Sequence, residues 1–187
     1  TGGPARAEGE GPAERLSRQS IANRDRSKTR ARRYVVRGLQ AMQIIRHIDG
    51  QDQNLAGSVV TLGNFDGIHL GHRALIGGAV TDSKTFGVPS VVLTFEPHPL
   101  KVLAPERAPK LILAHKDKMQ MLQDLGVDIV AVQHFDLSFA KHSAEEFVRD
   151  LLVRRLKTKK IWAGKDLRFG QGRKGGVDDL IRWGGSL

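Results

Sequence analysis

Cysteine is absent from this chain. That absence excludes disulfides, thiolate metal sites and cysteine nucleophiles, and it is compatible with a reducing intracellular compartment. No apolar run approaches the ~20 residues that a membrane-spanning helix needs, so the expectation is a soluble, cytoplasmic protein with no membrane partner. Acids are the third shortage: 20 Asp and Glu stand against 30 Lys and Arg, a net charge of +10 with a pI near 10.3. Such a balance invites a nucleic-acid reading, and the location of the charge decides how far that reading goes. Residues 1–41 hold ten Arg and Lys against four acids, a net +6, whereas residues 42–187 hold twenty against sixteen, a net +4. The globular part is only mildly basic.

The first 41 residues are rich in Gly, Ala, Arg, Ser and Glu and show no sustained apolar periodicity before Tyr34-Val-Val; the first methionine is Met42. This composition reads as a disordered basic extension. A transit peptide is one reading, but Glu8, Glu10, Glu14 and Asp25 argue against it, because such leaders are poor in acids. Upstream sequence wrongly joined to a start at Met42 is a second. A nucleic-acid-binding arm is the third, and an Arg run without interleaved aromatics would give only salt-sensitive, unspecific affinity. Nucleic acid is therefore not the expected partner, and weak self-association is the only macromolecular partnership envisaged.

From Met42 to Leu187, a length that suits one domain, strand-like and helix-like patterns alternate, which favours a parallel sheet covered by helices. Met42–Arg46 reads as an edge strand, Ser58–Gly63 as the first central strand and Ser90–Phe95 as the second, with a helix over about 69–85 between them. Glu96–Pro109, punctuated by Pro97, Pro99, Pro105 and Pro109, reads as a long loop. A helix at about 115–125 ended by Gly126, a strand at 127–133, a helix opened by the capping box Ser143-Ala-Glu-Glu146 and running to about Leu156, and a last strand at Lys160–Gly164 complete the pattern.

In such a sheet, ligands bind beyond the carboxyl ends of the strands, and three motifs fall there. The first is Thr61-Leu-Gly-Asn-Phe-Asp-Gly-Ile-His-Leu-Gly-His72, a strand that turns into a helix. Its glycines at 63, 67 and 71 let the backbone turn tightly and approach a ligand, and the free N–H groups and positive dipole end of the new helix attract an anion. His69 and His72 are three residues apart on the first turn and would face the same anion. The second motif is Phe95-Glu-Pro-His-Pro99, and the third is Gly164-Lys-Asp-Leu-Arg-Phe-Gly170. Each alone could be an ordinary turn; their convergence on one rim makes a site. Histidines aimed at phosphate, without a nucleophilic Ser or Cys pattern or a Walker lysine, point to catalysis by charge stabilisation, with an α-phosphate attacked directly by an incoming phosphate and Mg²⁺ neutralising the remaining charge.

These three motifs, together with Phe135-Asp-Leu-Ser-Phe-Ala-Lys-His-Ser-Ala-Glu-Glu-Phe-Val148, resemble the bacterial bifunctional riboflavin kinase/FAD synthetase family in its FMN adenylyltransferase domain, over about residues 42–183. The resemblance implies a Rossmann-like nucleotidyltransferase fold and transfer of AMP from ATP to FMN, giving FAD and pyrophosphate. It implies that His69 and His72 contact the ATP phosphates, with Gly63, Asn64, Phe65, Asp66 and Gly71 shaping that cradle and Asn64 counted with the catalytic residues. Phe95, Pro97, His98 and Pro99 would lie by the flavin and its phosphate, and Asp166, Arg168 and Phe169 would line the site from the last loop. No protein metal ligand is implied. Phe95 reads equally well as plain core, Trp162 reads as core, and His47, His115, His134 and His142 read as surface or structural residues. An acceptor other than FMN, such as a pantetheine, nicotinamide or glycerol phosphate, is the alternative within the same fold. The chain departs from the family at Leu167, where an aromatic is usual, and ends at Leu187 before the family's Ser-Ser-Thr-x-x-Arg run and kinase domain. It is therefore expected to be a C-terminally truncated domain with apolar surface exposed at that edge.

Overall fold

Five short runs pair into one sheet: β1 (Gln43–Arg46), β2 (Ser58–Leu62), β3 (Ser90–Glu96), β4 (Ile129–His134) and β5 (Thr158–Trp162). The computed structural model describes residues 41–46, 48 and 55–184, all within the unit Gln40–Leu187. The reading of the basic extension, apart from Ala41, and that of His47 lie outside the described residues. The strand order is β1-β4-β3-β2-β5, with every neighbouring pair parallel. Every residue of β2 and five of the six in β4 are buried, as expected of parallel strands covered on both faces.

Alternate side chains of each strand feed opposite faces. Val60, Leu62, Val91, Leu93, Ile129 and Ala131 join one apolar cluster, and Val92, Val130 and Val132 join the other. Over the second cluster lie α1 (Leu70–Phe86) and α3 (His115–Asp124), which contribute Ile76, Val80, Met119 and Leu122. The first cluster is covered by α4 (Ala144–Glu146), which continues as a π-helical stretch over Phe147–Arg155, and by α5 (Val177–Gly184). This is the expected α/β architecture, a parallel sheet flanked by helices. No helix among the described residues is long and apolar enough to cross a membrane.

Local chemistry explains most boundaries. Gly87, at φ 63°, closes α1 in the left-handed conformation that glycine adopts most readily, and its N–H bonds back to Lys84 and Ser83. The capping box forms as expected: Ser143 Oγ accepts from the Glu146 amide at 3.1 Å, and Glu146 Oε2 accepts from the Ser143 amide at 2.8 Å. Three expectations need correction. Glu96–Pro109 is not a plain loop, since it holds α2 (Pro99–Leu103) and a 3₁₀ turn at Pro105–Arg107. Pro99 occupies the first helical turn, where its missing N–H costs nothing, and His98 caps the helix through its ring. The last strand begins and ends two residues earlier than expected. Trp162 is only half-buried, with its indole N–H donating to Asp82 Oδ2 at 2.7 Å. Beside edge strand β5, an apolar cavity of about 330 Å³ lies between the π-helical stretch and α5, lined by Leu152, Val153, Ile161, Val177 and Leu180.

Candidate functional site

The turn between β2 and α1 is held in an uncommon shape. Phe65 and Ile68 have φ of 49° and 37°, and Gly67 lies between them at φ 84°. Non-glycine residues adopt such angles only when the surroundings over-determine them. Here the surroundings are the core, since Phe65 and Ile68 are fully buried in the α1/α3 cluster. Gly71 keeps its place for a second reason: a Cβ there would stand 3.3 Å from the His69 ring.

That ring caps α1. His69 Nδ1 accepts from the His72 amide at 3.4 Å, which in the neutral ring leaves the proton on Nε2. The two imidazoles stack with centroids 3.7 Å apart, and Phe65 meets His72 edge-on at 5.2 Å. The amides of Leu70 and Gly71 have no acceptor within the helix, so two backbone donors, the positive end of the helix and two imidazoles converge. Burial lowers the pKa of His72, and the neighbouring His69 and Lys118 lower it further, while Asp66 partly opposes them. His72 is thus a neutral donor at neutral pH. Its Nδ1 is buried without a hydrogen-bond partner among the described residues.

The second motif closes on the first. Asn64 Nδ2 stands 2.9 Å from His98 Nε2, and His98 Nδ1 accepts from the Leu100 amide at 3.2 Å. Burial lowers the pKa of His98 as well, and Lys101 and Lys118 add to that against Asp66. Asp66 has a bracing role: its carboxylate accepts from the amides of Ile112 at 3.0 Å and Leu113 at 3.1 Å, pinning the segment before α3 against the turn. Gly63 and Asn64 leave β2 beside β3, whose last residues carry Phe95 into an aromatic group with Phe135, Phe139 and Phe147 at centroid distances of 6.0–6.4 Å. Pro97 is exposed and Pro99 half-buried at the mouth of this loop.

The third motif stands differently. Asp166 and Arg168 are exposed, with Arg168 donating to the Leu167 carbonyl, while Phe169 is buried against Phe147 at 5.2 Å. The loop lies near α1, since a Cβ on Gly164 would meet Leu75 at 3.9 Å. The structure therefore stacks His69 on His72 and bonds Asn64 to His98, with Asp66 within electrostatic reach of both His72 and His98, whereas Phe95 and Phe169 sit in aromatic packing. Among the other histidines, His115 pairs through Nδ1 with Glu96 at 2.6 Å, and His142 Nδ1 lies 2.9 Å from the Phe139 carbonyl.

Sequence reasoning missed Lys118. Its Nζ donates to the Asn64 carbonyl at 2.5 Å and to Thr94 Oγ1 at 2.9 Å, joining the ends of β2 and β3. A signal existed: Lys118 lies four residues before buried Leu122 and seven before Leu125, on the apolar stripe of α3, where a solvated lysine does not belong. The network of Arg46, Glu96 and His115 on the same rim had no such signal, because its members come from three separate elements.

Relatives match this same region. The model of the FAD synthetase family matches residues 51–187. The bifunctional riboflavin kinase/FMN adenylyltransferase of Escherichia coli K12 is 42% identical over 135 residues, covering 72% of this chain and 43% of that protein. Its namesake from Haemophilus influenzae is 35% identical over 134 residues, covering 72% and 44%. The chain thus spans less than half the length of these relatives. Among solved structures, one described as a macrolide-efflux protein from Streptococcus pneumoniae superposes with a TM-score of 0.66 at 30% identity, covering 76% of this chain and 48% of that one. With the His-x-Gly-His turn and both companion loops inside the matched range, this chain belongs to the FAD synthetase family.

Proposed function

We propose that this chain transfers AMP from ATP to FMN, forming FAD and pyrophosphate. One observation carries the reading: the phosphate-facing turn of β2 and the His98 loop of β3 are locked side by side through Asn64, so that two phosphate groups could meet at adjacent strand ends. In this reaction an oxygen of the FMN phosphate attacks the α-phosphorus of ATP. The bond from that phosphorus to the bridging oxygen breaks, and its electron pair leaves with pyrophosphate. The attacking oxygen is already an anion, so no general base is needed and the task is one of charge stabilisation. His69, His72 and the amides of Leu70 and Gly71 would hold the developing and departing charge, and Asn64 with His98 would orient the acceptor phosphate. Asp166 and Arg168 would face the ligand from the third loop, where Phe169 acts by packing.

Among the described residues no group of three or more His, Asp or Glu side chains could hold a metal ion. Asp66, the carboxylate of the turn, is committed to backbone amides. The described residues therefore offer no protein cage for Mg²⁺, which would arrive with the substrate as MgATP, and no step is assigned to it. Residues 1–41 are proposed to lie outside the transferring unit.

Incubation of the full chain with MgATP and FMN, followed by chromatography and flavin fluorescence, tests the proposal. Accumulation of FAD and pyrophosphate in equal amounts is the expected result. If no FAD forms, and FMN and FAD bind no better than pantetheine phosphate, the flavin assignment is wrong.

A further inference from the structure

Lys118 is half-buried, and burial pushes its ammonium below the usual lysine range. Burying an ammonium is costly unless an anion faces it. Yet its two hydrogen-bond partners, the Asn64 carbonyl and the Thr94 hydroxyl, are neutral, and no carboxylate among the described residues stands within ion-pair distance of it. Glu96 and Asp66 act only from farther away. They are engaged elsewhere, Glu96 with Arg46 and His115 and Asp66 with the amides of Ile112 and Leu113. An ammonium has three donors, and two are used. The protein therefore holds a buried positive charge without an anion directly behind the turn that carries His69 and His72.

We propose that Lys118 is a positioning residue of the site: it ties the ends of β2 and β3 together through Asn64 and Thr94, and supplies the fixed charge that draws a polyphosphate onto the His69–His72 turn. The inference rests on the nucleotide reading given above. It accounts for a lysine on an apolar helix stripe. It also gives the site a positive charge that persists when His72 and His98 are neutral.

The test uses the full chain and two variants, Lys118→Met and Lys118→Arg, titrated calorimetrically with tripolyphosphate. A hydrogen bond or close contact to a charged group is worth roughly 1.5–3 kcal/mol, so the Met variant is expected to bind about 10- to 100-fold more weakly. The Arg variant should keep most of the affinity. In the Met variant the NMR titration of the His72 and His98 rings should move to higher pH, since a cation that opposed their protonation is gone; a merely structural lysine would not move both. Equal affinity and unmoved titrations in a folded Met variant overturn the proposal. If wild-type protein binds no tripolyphosphate, the nucleotide reading itself falls, which is a separable outcome. Should the Met variant not fold, the Lys118 ¹⁵Nζ resonance of wild-type protein must shift on adding tripolyphosphate, and an unmoved resonance overturns the proposal equally.

Discussion

Two adjacent glycines in α1, Gly77 and Gly78, are chemically identical and should respond to alanine in opposite directions. Each replacement gains about 0.5–1 kcal/mol of helix propensity, because glycine in a helix interior loses more backbone entropy. At Gly77 nothing lies within 4 Å of the new methyl, so that gain stands alone. At Gly78 the methyl would lie 2.7 Å from three ring atoms of Trp162. The indole cannot simply swing away, since its N–H donates to Asp82 Oδ2, and Lys160 bonds the same oxygen, each at 2.7 Å. Overpacking of this kind costs roughly 1–3 kcal/mol, and loss of the indole bond adds about 1 kcal/mol. The expectation is that Gly77→Ala raises stability by about 0.5–1 kcal/mol. Gly78→Ala should lower it by about 1–3.5 kcal/mol, the overpacking and lost bond less the propensity gain. At about 2–4 °C per kcal/mol for a domain of this size, the two melting temperatures should separate by several degrees. Urea denaturation followed by far-UV circular dichroism measures the difference, and tryptophan fluorescence should report a disturbed Trp162 in the second variant alone. Equal shifts from the two substitutions, or a more stable Gly78→Ala protein, would refute the reasoning that Trp162 sets the distance between α1 and β5.

His69→Ala and His72→Ala should each slow adenylyl transfer by about 10²–10³-fold, the usual effect of removing one charge-stabilising donor, with the fold intact by circular dichroism; an unchanged rate defeats the assignment. Asp66→Ala removes the acceptor of two backbone amides, one of them exposed, and should cost about 0.5–1.5 kcal/mol, read as faster hydrogen exchange at Ile112 and Leu113 than in the parent chain. His72 and His98 have pKa values below their ordinary one in the folded chain. The unfolded chain therefore binds more protons near pH 6.5, and stability contributed by these rings is full above that pH and lost on acidification through the lowered values. Urea midpoints should fall between pH 7.5 and 5, and the double variant His72→Gln/His98→Gln should show a flatter profile.

The first strand-turn-helix could be read from sequence because its signals are local. β-branched residues precede the turn, glycines fill it, and the helix that follows ends at Gly87. The capping box at Ser143 and Glu146 was local in the same sense. Where a signal was ambiguous, the sequence misled. Four prolines between 97 and 109 suggested a loop, although Pro99 at a helix start is compatible with α2 once His98 caps it. Phe169, expected to line the site by its place in a motif, is buried against Phe147, a contact that the motif alone did not announce. The contacts of Lys118 depend on partners far along the chain, Asn64 and Thr94, which no window around α3 contains.

The three loops of the rim are fastened by two different kinds of joint. Hydrogen bonds and charge join the first two, through Asn64, His98 and Lys118. The third is seated chiefly by packing, Phe169 on Phe147 and Gly164 near Leu75, with backbone bonds from Phe169 to Gly175 and from Gln171 to the His142 carbonyl but no ion pair among the described residues. A polar joint answers to acidity and salt, a greasy one to pressure, temperature and the volume of a few side chains. The joined pair of loops and the third loop should therefore loosen under separate conditions. A lineage could remodel the third loop by changing side-chain size alone, while leaving the charge arrangement around Asn64, His98 and Lys118 untouched.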